Sequence, residues 1–190
     1  TIVATGANQR FRSRSRTGRL TLSCVARYEG VCTAPDVCEF VYDPDLLPYY
    51  GWLFPESPTR ANVGVCAPAR HLEGPPVRDL LARFVDRYYG ASLAGAKPIG
   101  EPRGALIAGT DHVTHAAPPG VLMVGEANRL ANPATGEGIS YAIESGRLAA
   151  WALRREEELG LDAAATRRLY ADSLRRVLGP RFRAARLFHR

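Results

Sequence analysis

The sequence predicts an α/β (α+β) protein, and three observations predict it. Val121–Val124 is an unbroken apolar run, the pattern of a strand buried on both faces, and a Gly-rich loop then leads into a helix. Leu20–Ala67 breaks into short β-branched and aromatic stretches with turn residues between them, as in a mainly antiparallel sheet. Val77, Leu80, Leu81, Phe84, Val85 and Tyr88 recur at intervals of three and four, the period of an amphipathic helix.

Each element follows in order. TIVATGA is a short strand that ends in a Thr-Gly turn. Leu20–Arg27 and Val37–Tyr42 are strands, and Asp43-Pro44 marks a turn. Tyr50–Pro55 and Ala61–Ala67 are strands joined by the turn ESPTR. The helix from Val77 stops at Gly90, and Gly104–Gly109 is a further strand. Past the Gly-rich loop, Ile139, Ala142, Ile143, Gly146, Ala149, Ala150 and Leu153 mark one face of a long helix. Its small residues would allow close packing on a sheet. Asp162 is the expected N-cap of another helix that runs to about Leu178. Gly179-Pro180 breaks it, and Arg181–Arg190 forms a last basic turn or two.

The 190 residues suit one domain, or a small domain plus an excursion. Apolar content of 46% and charge of 23% fit a soluble globular protein. There is no apolar run long enough to span a membrane and no secretory leader pattern, so a cytoplasmic location is expected. Thr1 already lies in a strand-like stretch, which suggests numbering that starts inside a longer protein. The net charge of +6 comes from Arg residues crowded at Arg10–Arg19 and Arg167–Arg190. They suit a solvated surface or an anionic partner, a phosphate or an acidic membrane face. Tyr170, Leu174, Val177 and Leu178, interleaved with Arg167, Arg175 and Arg176, could pack on the body or lie on such a membrane. Cys24, Cys32, Cys38 and Cys66 form no CxxC pair and read as reduced, buried thiols. His112 and His115 lie in a polar, Pro-flanked stretch, and no metal site is expected.

The chemistry concentrates in VLMVGEANRLANPATGEGI. A strand at Val121–Val124 delivers Glu126 to the carboxyl end of a sheet, where open α/β sheets place ligands. A carboxylate there suits sugar or ribityl hydroxyls. Pro133 and Gly136 tighten the loop, and Gly136, Gly138 and Ile139 open the helix with outward amides. Such an end stabilises a pyrophosphate or a ring carbonyl, and glycines let a flat ligand approach. An ordinary strand–loop–helix explains the same residues, and physics alone leaves both readings open. Tyr50, Trp52 and Phe54 alternate and so share one strand face. That face is either core or an aromatic wall for a prenyl chain or flat ring.

Val124-Gly125-Glu126-Ala127 with Asn132-Pro133-Ala134-Thr135-Gly136-Glu137-Gly138-Ile139 and Ala142-Ile143-Glu144-Ser145-Gly146 resembles the second flavin motif of the geranylgeranyl reductase family. These are FAD-dependent oxidoreductases within the p-hydroxybenzoate-hydroxylase-like flavoproteins. The wider class usually has Asp where this chain has Glu126. Tyr50-Gly51-Trp52-Leu53-Phe54-Pro55 with Asn62-Val63-Gly64-Val65-Cys66 is similar to the family's Tyr-x-Trp-x-Phe-Pro…Gly-x-Gly signature, with Cys66 in place of the last Gly. Ala4-Thr5-Gly6-Ala7-Asn8-Gln9-Arg10 resembles the Ala-Asp-Gly-Ala-x-Ser-x-Arg motif of flavin hydroxylases, with Thr5 for Asp. Asp43-Pro44-Asp45-Leu46 also fits the family pattern.

The resemblance implies part of an FAD-binding Rossmann-like domain with an inserted, mainly antiparallel substrate sheet. It assigns 1–19 and 98–160 to the FAD domain, 20–97 to the substrate sheet and helix, and 161–190 to a basic helical tail. It implies FAD, with NAD(P)H or another reductant as electron source. Thr5, Gly125, Glu126, Pro133, Gly136, Glu137, Gly138 and Ile139 would bind the cofactor. Glu126 would meet the ribityl chain, and Gly136–Ile139 the pyrophosphate and flavin ring. Tyr50, Trp52, Phe54, Gly64 and Cys66 would shape the substrate cavity, and Cys66 would narrow it. No general acid is singled out. The implied reaction is reduction of carbon–carbon double bonds of a prenyl lipid or related substrate. A flavin monooxygenase or halogenase is the alternative enzyme, and a non-catalytic fragment the third reading. The partners expected are a small-molecule or lipid substrate, a membrane surface and an N-terminal half or partner polypeptide, with no nucleic acid. The Gly-x-Gly-x-x-Gly unit that cradles the ADP half of FAD does not occur in the sequence. The chain is therefore expected to be the C-terminal portion of a flavoprotein.

Overall fold

The computed structural model describes residues 1–7, 20–68, 73–110, 113–115, 117–185 and 187. Arg10–Arg16, Arg19, His112 and Asn8-Gln9-Arg10 lie outside them. The chain forms two compact units, Thr1–Leu20 with Ile107–Arg190, and Thr21–Leu106.

The Thr21–Leu106 unit is built on an antiparallel sheet. Its strands are β2 (Leu20–Glu29), β3 (Glu39–Val41), β4 (Gly51–Ser57) and β5 (Arg60–Pro68), with the short β6 (Lys97–Pro98) and β7 (Arg103–Ala108). Among the described residues the order is β3-β4-β5-β2-β6, and β7 also pairs with β2. β1 is Ile2–Val3. The expected turn ESPTR shrinks to Pro58-Thr59, because pairing continues past an irregularity between Pro55 and Ser57 and ends with Ser57 opposite Arg60. β6 escapes the sequence reading because two residues hold no periodicity.

One face of this sheet packs on helix α1 (Val77–Tyr89). Cys24, Ala26, Leu53, Val63 and Val65 meet Leu80, Leu81 and Phe84 there. Gly51 makes this possible, since a Cβ on it would stand 2.1 Å from the Phe84 ring. The Asp43-Pro44 turn is tied to the same helix. The Asp43 carboxylate is buried and accepts from the Asp45 amide (2.7 Å), Arg87 (2.7 Å) and Tyr88 (2.8 Å). Burial pushes its pKa up, but these donors outweigh burial and hold it below the usual carboxylate value. Cys24 and Cys66 are buried as expected, whereas Cys32 and Cys38 are exposed because the β2–β3 connection lies on the surface.

The other unit pairs β1 with β8 (Leu122–Met123) in parallel, Ile2 opposite Leu122 and Val3 opposite Met123. Only two of the four residues in the expected strand join this ladder, though Leu122, Met123 and Val124 are all buried. Gly125–Asn128 is a short 3-10 turn. Helices α2 (Ile139–Leu159), α3 (Ala163–Val177) and α4 (Gly179–Ala185) follow. Asp162 caps α3 as expected, accepting from the Ala165 amide at 2.6 Å. Pro180 sits in the first turn of α4, where a missing N–H costs nothing, so Gly179-Pro180 separates two helices rather than ending helical structure.

One expectation is corrected here, and one open alternative is settled. The buried face of α2 is Tyr141, Ser145, Leu148, Ala149 and Ala152, while Ile139 and Ile143 are 77% and 69% exposed. The helix carries two apolar stripes, and the one that holds Tyr141 and Leu148 took the core. Tyr141 packs edge-on against Phe182 at 4.8 Å. Tyr170, Leu174 and Leu178 are wholly buried in that core, so they are not available to embed in a membrane. No helix among the described residues is long and apolar enough to cross one.

Candidate functional site

The parallel pair β1–β8 sets the site. Residues in register point the same way, so the chain leaves both strands at one end of the pair. Thr5 and Gly6 follow β1, with Thr5 exposed and Gly6 at φ +60°. Gly125 and Glu126 follow β8. Glu126 is half-buried, and one carboxylate oxygen accepts from the Ala108 amide at 3.0 Å, which fixes its direction.

The far edge of β8 is closed by side chains. The Met123 amide donates to His115 Nε2 (2.9 Å), and its carbonyl accepts from the Tyr170 hydroxyl (2.9 Å). His115 is buried edge-on against Tyr170. Burial, with a smaller contribution from the Arg167 charge, lowers its pKa to about 4. It is a neutral strut, with Nε2 already spent on the backbone.

Gly125 serves packing. Its φ is +56°, and a Cβ on it would lie 3.0 Å from that of Ala142. Its amide donates to the Ser145 hydroxyl at 2.9 Å, which locks the strand end to α2. Asn132, which the sequence reading did not single out, is the keystone of the loop. Its amide donates to the Glu137 carbonyl (2.7 Å) and its carbonyl accepts from Gly136 (2.9 Å). Its side chain accepts from the Ala134 amide (2.8 Å) and donates to Tyr141 (2.9 Å). The Asn-Pro pair was the available signal, since Asn side chains build such turns. Gly136 closes the loop at φ +71°.

The start of α2 is partly filled by its own chain. The Glu137 carboxylate accepts from the Ser140 amide (2.7 Å) and hydroxyl (3.0 Å). The amides of Gly138 and Ile139 precede any intrahelical acceptor. Gly138 has φ −135°, and a Cβ on it would find no protein atom closer than 3.9 Å. No steric demand of the fold requires glycine there.

Tyr50, Trp52, Phe54, Gly64 and Cys66 come together on the outer face of the other unit's sheet. Phe40 and Tyr42 join them, unforeseen because β3 is short. Phe40 lies 5.2 Å from Tyr50 and 5.1 Å from Phe54, edge-on to both. Trp52 lies across Gly64, where a Cβ would stand 2.2 Å from the indole, and donates to Asn62 at 2.8 Å. Gly64 thus acts through Trp52.

No family model matches the chain. It is 37% identical over 111 residues to the menaquinone reductase of Mycolicibacterium smegmatis, covering 55% of this chain and 26% of that protein. It is 35% identical over 105 residues to the digeranylgeranylglycerophospholipid reductase of Methanosphaerula palustris, covering 53% and 24%. These matches span about a quarter of each relative's length. Among solved structures, a geranylgeranyl bacteriochlorophyll reductase-like protein of Thermoplasma acidophilum superposes with TM-score 0.74 at 23% identity, over 92% of this chain and 45% of its own. A flavin-dependent brominase superposes with TM-score 0.68 at 21% identity, over 90% and 46%. The mixed α/β fold is the one these flavoproteins share. Together the comparisons show a chain similar in sequence to part of these reductases and similar in fold to both solved proteins.

Proposed function

We propose that this chain carries the flavin-contacting part of an FAD-dependent oxidoreductase. The enzyme would reduce carbon–carbon double bonds of a prenyl lipid or related unsaturated substrate. The observation that carries the reading is the gathering of Thr5, Glu126 and the Asn132–Ile139 loop around the carboxyl end of one parallel pair, where a Cβ on Gly138 would meet nothing closer than 3.9 Å.

The residues fit a flavin. Glu126, steered by the Ala108 amide, meets the ribityl hydroxyls. The amides of Gly138 and Ile139 meet a ring carbonyl, with the helix dipole behind them. The Glu137 carboxylate already sits at that helix start, so an uncharged carbonyl suits it better than a pyrophosphate. Thr5 takes a phosphate oxygen, while Gly125, Pro133 and Gly136 hold the loop's shape. The bound flavin supplies hydride transfer, and NAD(P)H or another reductant supplies the electrons. Tyr50, Trp52 and Phe54 receive the unsaturated chain. For the whole protein, an ADP-binding half in further polypeptide and peripheral membrane contact belong to the same proposal.

The second reading is a flavin monooxygenase or halogenase, since the fold serves both chemistries. The aromatic strand and the names of the sequence relatives favour the reductase. Incubation with a chemically reduced flavin and a prenyl lipid decides between them. Saturation of the lipid under anaerobic conditions supports the reductase. Product that forms only with oxygen supports the second reading.

A further inference from the structure

We infer that Cys66 is a specificity-determining residue, which sets the length of unsaturated chain accepted by the aromatic face. This rests on the prenyl-reductase reading. Strands β4 and β5 run antiparallel with Trp52 opposite Gly64, and the Cys66 amide donates to the Tyr50 carbonyl at 2.9 Å. Trp52 on β4 and Tyr50 just before that strand therefore each face one outer residue of β5, Gly64 and Cys66. At Gly64 the strand is bare, and the Trp52 indole comes down onto it. At Cys66 it is not bare. The Cys66 side chain is buried and shares a hydrogen bond with Ser23, its partner on β2. A Cβ under Trp52 would overlap the ring, so a side chain under Tyr50 forbids the same descent.

The ring geometry agrees. Trp52 and Phe54 are near-parallel, 26° apart with centroids 5.7 Å apart. Tyr50 stands at 66° to Trp52 and is edge-on to Phe40 and Tyr42 as well. The flat part of the wall thus ends at Tyr50, whose ring closes it like a post. The platform stops where the Cys66 side chain occupies the place left bare at Gly64.

The test reads binding without turnover. In a Trp151→Phe background Trp52 is the only tryptophan left. Its fluorescence is followed while geraniol, farnesol and geranylgeraniol are added. Cys66→Gly is expected to move the best-bound alcohol to a longer one, by roughly tenfold in relative affinity. Cys66→Ala keeps the Cβ and is expected to retain the original order. Should Cys66→Gly fail to fold, Tyr50→Ala removes the post instead and is expected to give the same shift. An unchanged order in Cys66→Gly or Tyr50→Ala overturns the inference alone, as does an equal shift in Cys66→Ala. Failure of every alcohol to bind any of these proteins overturns the prenyl reading together with it.

Discussion

Glycine does different work in the two units. In the sheet of the Thr21–Leu106 unit, Gly51 and Gly64 lie side by side on opposite faces, and each is filled by a ring of the same chain. Phe84 occupies the space over Gly51, and Trp52 the space over Gly64. In the other unit, Gly125 is likewise filled, by Ala142. Gly138 is not. Its φ is not in the left-handed region that demands glycine, and its Cβ would meet nothing tighter than ordinary contact. A glycine that its own fold does not need is a candidate for facing something else. That contrast separates glycines that the fold itself requires from the one that the proposed function assigns to a ligand.

The contrast can be broken at its strongest point first. Gly51→Ala forces a methyl into the buried Phe84 ring, which has no exit. A loss of about 3 kcal/mol in denaturant unfolding is expected. A loss well below 1 kcal/mol would mean that Phe84 can move, and that the filled-glycine argument fails.

His115 sharpens it through charge. Its folded pKa, about 4, lies below its ordinary 6.5, so the unfolded chain binds a proton that the folded one refuses. Stability from this group is present above pH 6.5 and is lost as pH falls toward 4. The loss is of the order of 3 kcal/mol. His115→Gln is expected to flatten this part of the stability–pH curve. An unchanged slope would place the titration elsewhere.

Gly125→Ala comes next. It meets both a left-handed backbone and Ala142, and about 2 kcal/mol of destabilisation is expected. Gly64→Ala should cost less, about 1 kcal/mol, because Trp52 is only half-buried and can lift. Its signature is a shift in Trp52 emission as the bond to Asn62 breaks. Equal costs at Gly51 and Gly64 would erase the distinction between the two faces.

Much of this was legible in the sequence. The alternation of Tyr50, Trp52 and Phe54 gave their common face, because strand side chains strictly alternate. Asp162 gave its cap, because a short acceptor before a helix has one use. The loop from Gly125 to Ile139 was legible as a strand–loop–helix connection, but not which residues hold its shape. Asn132 holds it through long-range bonds that no spacing encodes. The bond of the Glu137 carboxylate to Ser140 was not read from the sequence. On α2 the period alone favoured Ile139 and Ile143 as core. Tyr141 and Leu148 won because Tyr170 and Phe182, far along the chain, were there to receive them.

The smallest effect on stability carries the central claim. Gly138→Ala is expected to leave unfolding unchanged or improve it by about 0.5 kcal/mol, since the native backbone already suits Ala. The direct measurement is a titration of wild type and Gly138→Ala with FAD, read by flavin fluorescence, with thermal unfolding of both proteins alongside. The account predicts that wild type binds and that the variant, equally stable, binds at least about tenfold more weakly. Equal affinity in the two proteins would contradict it.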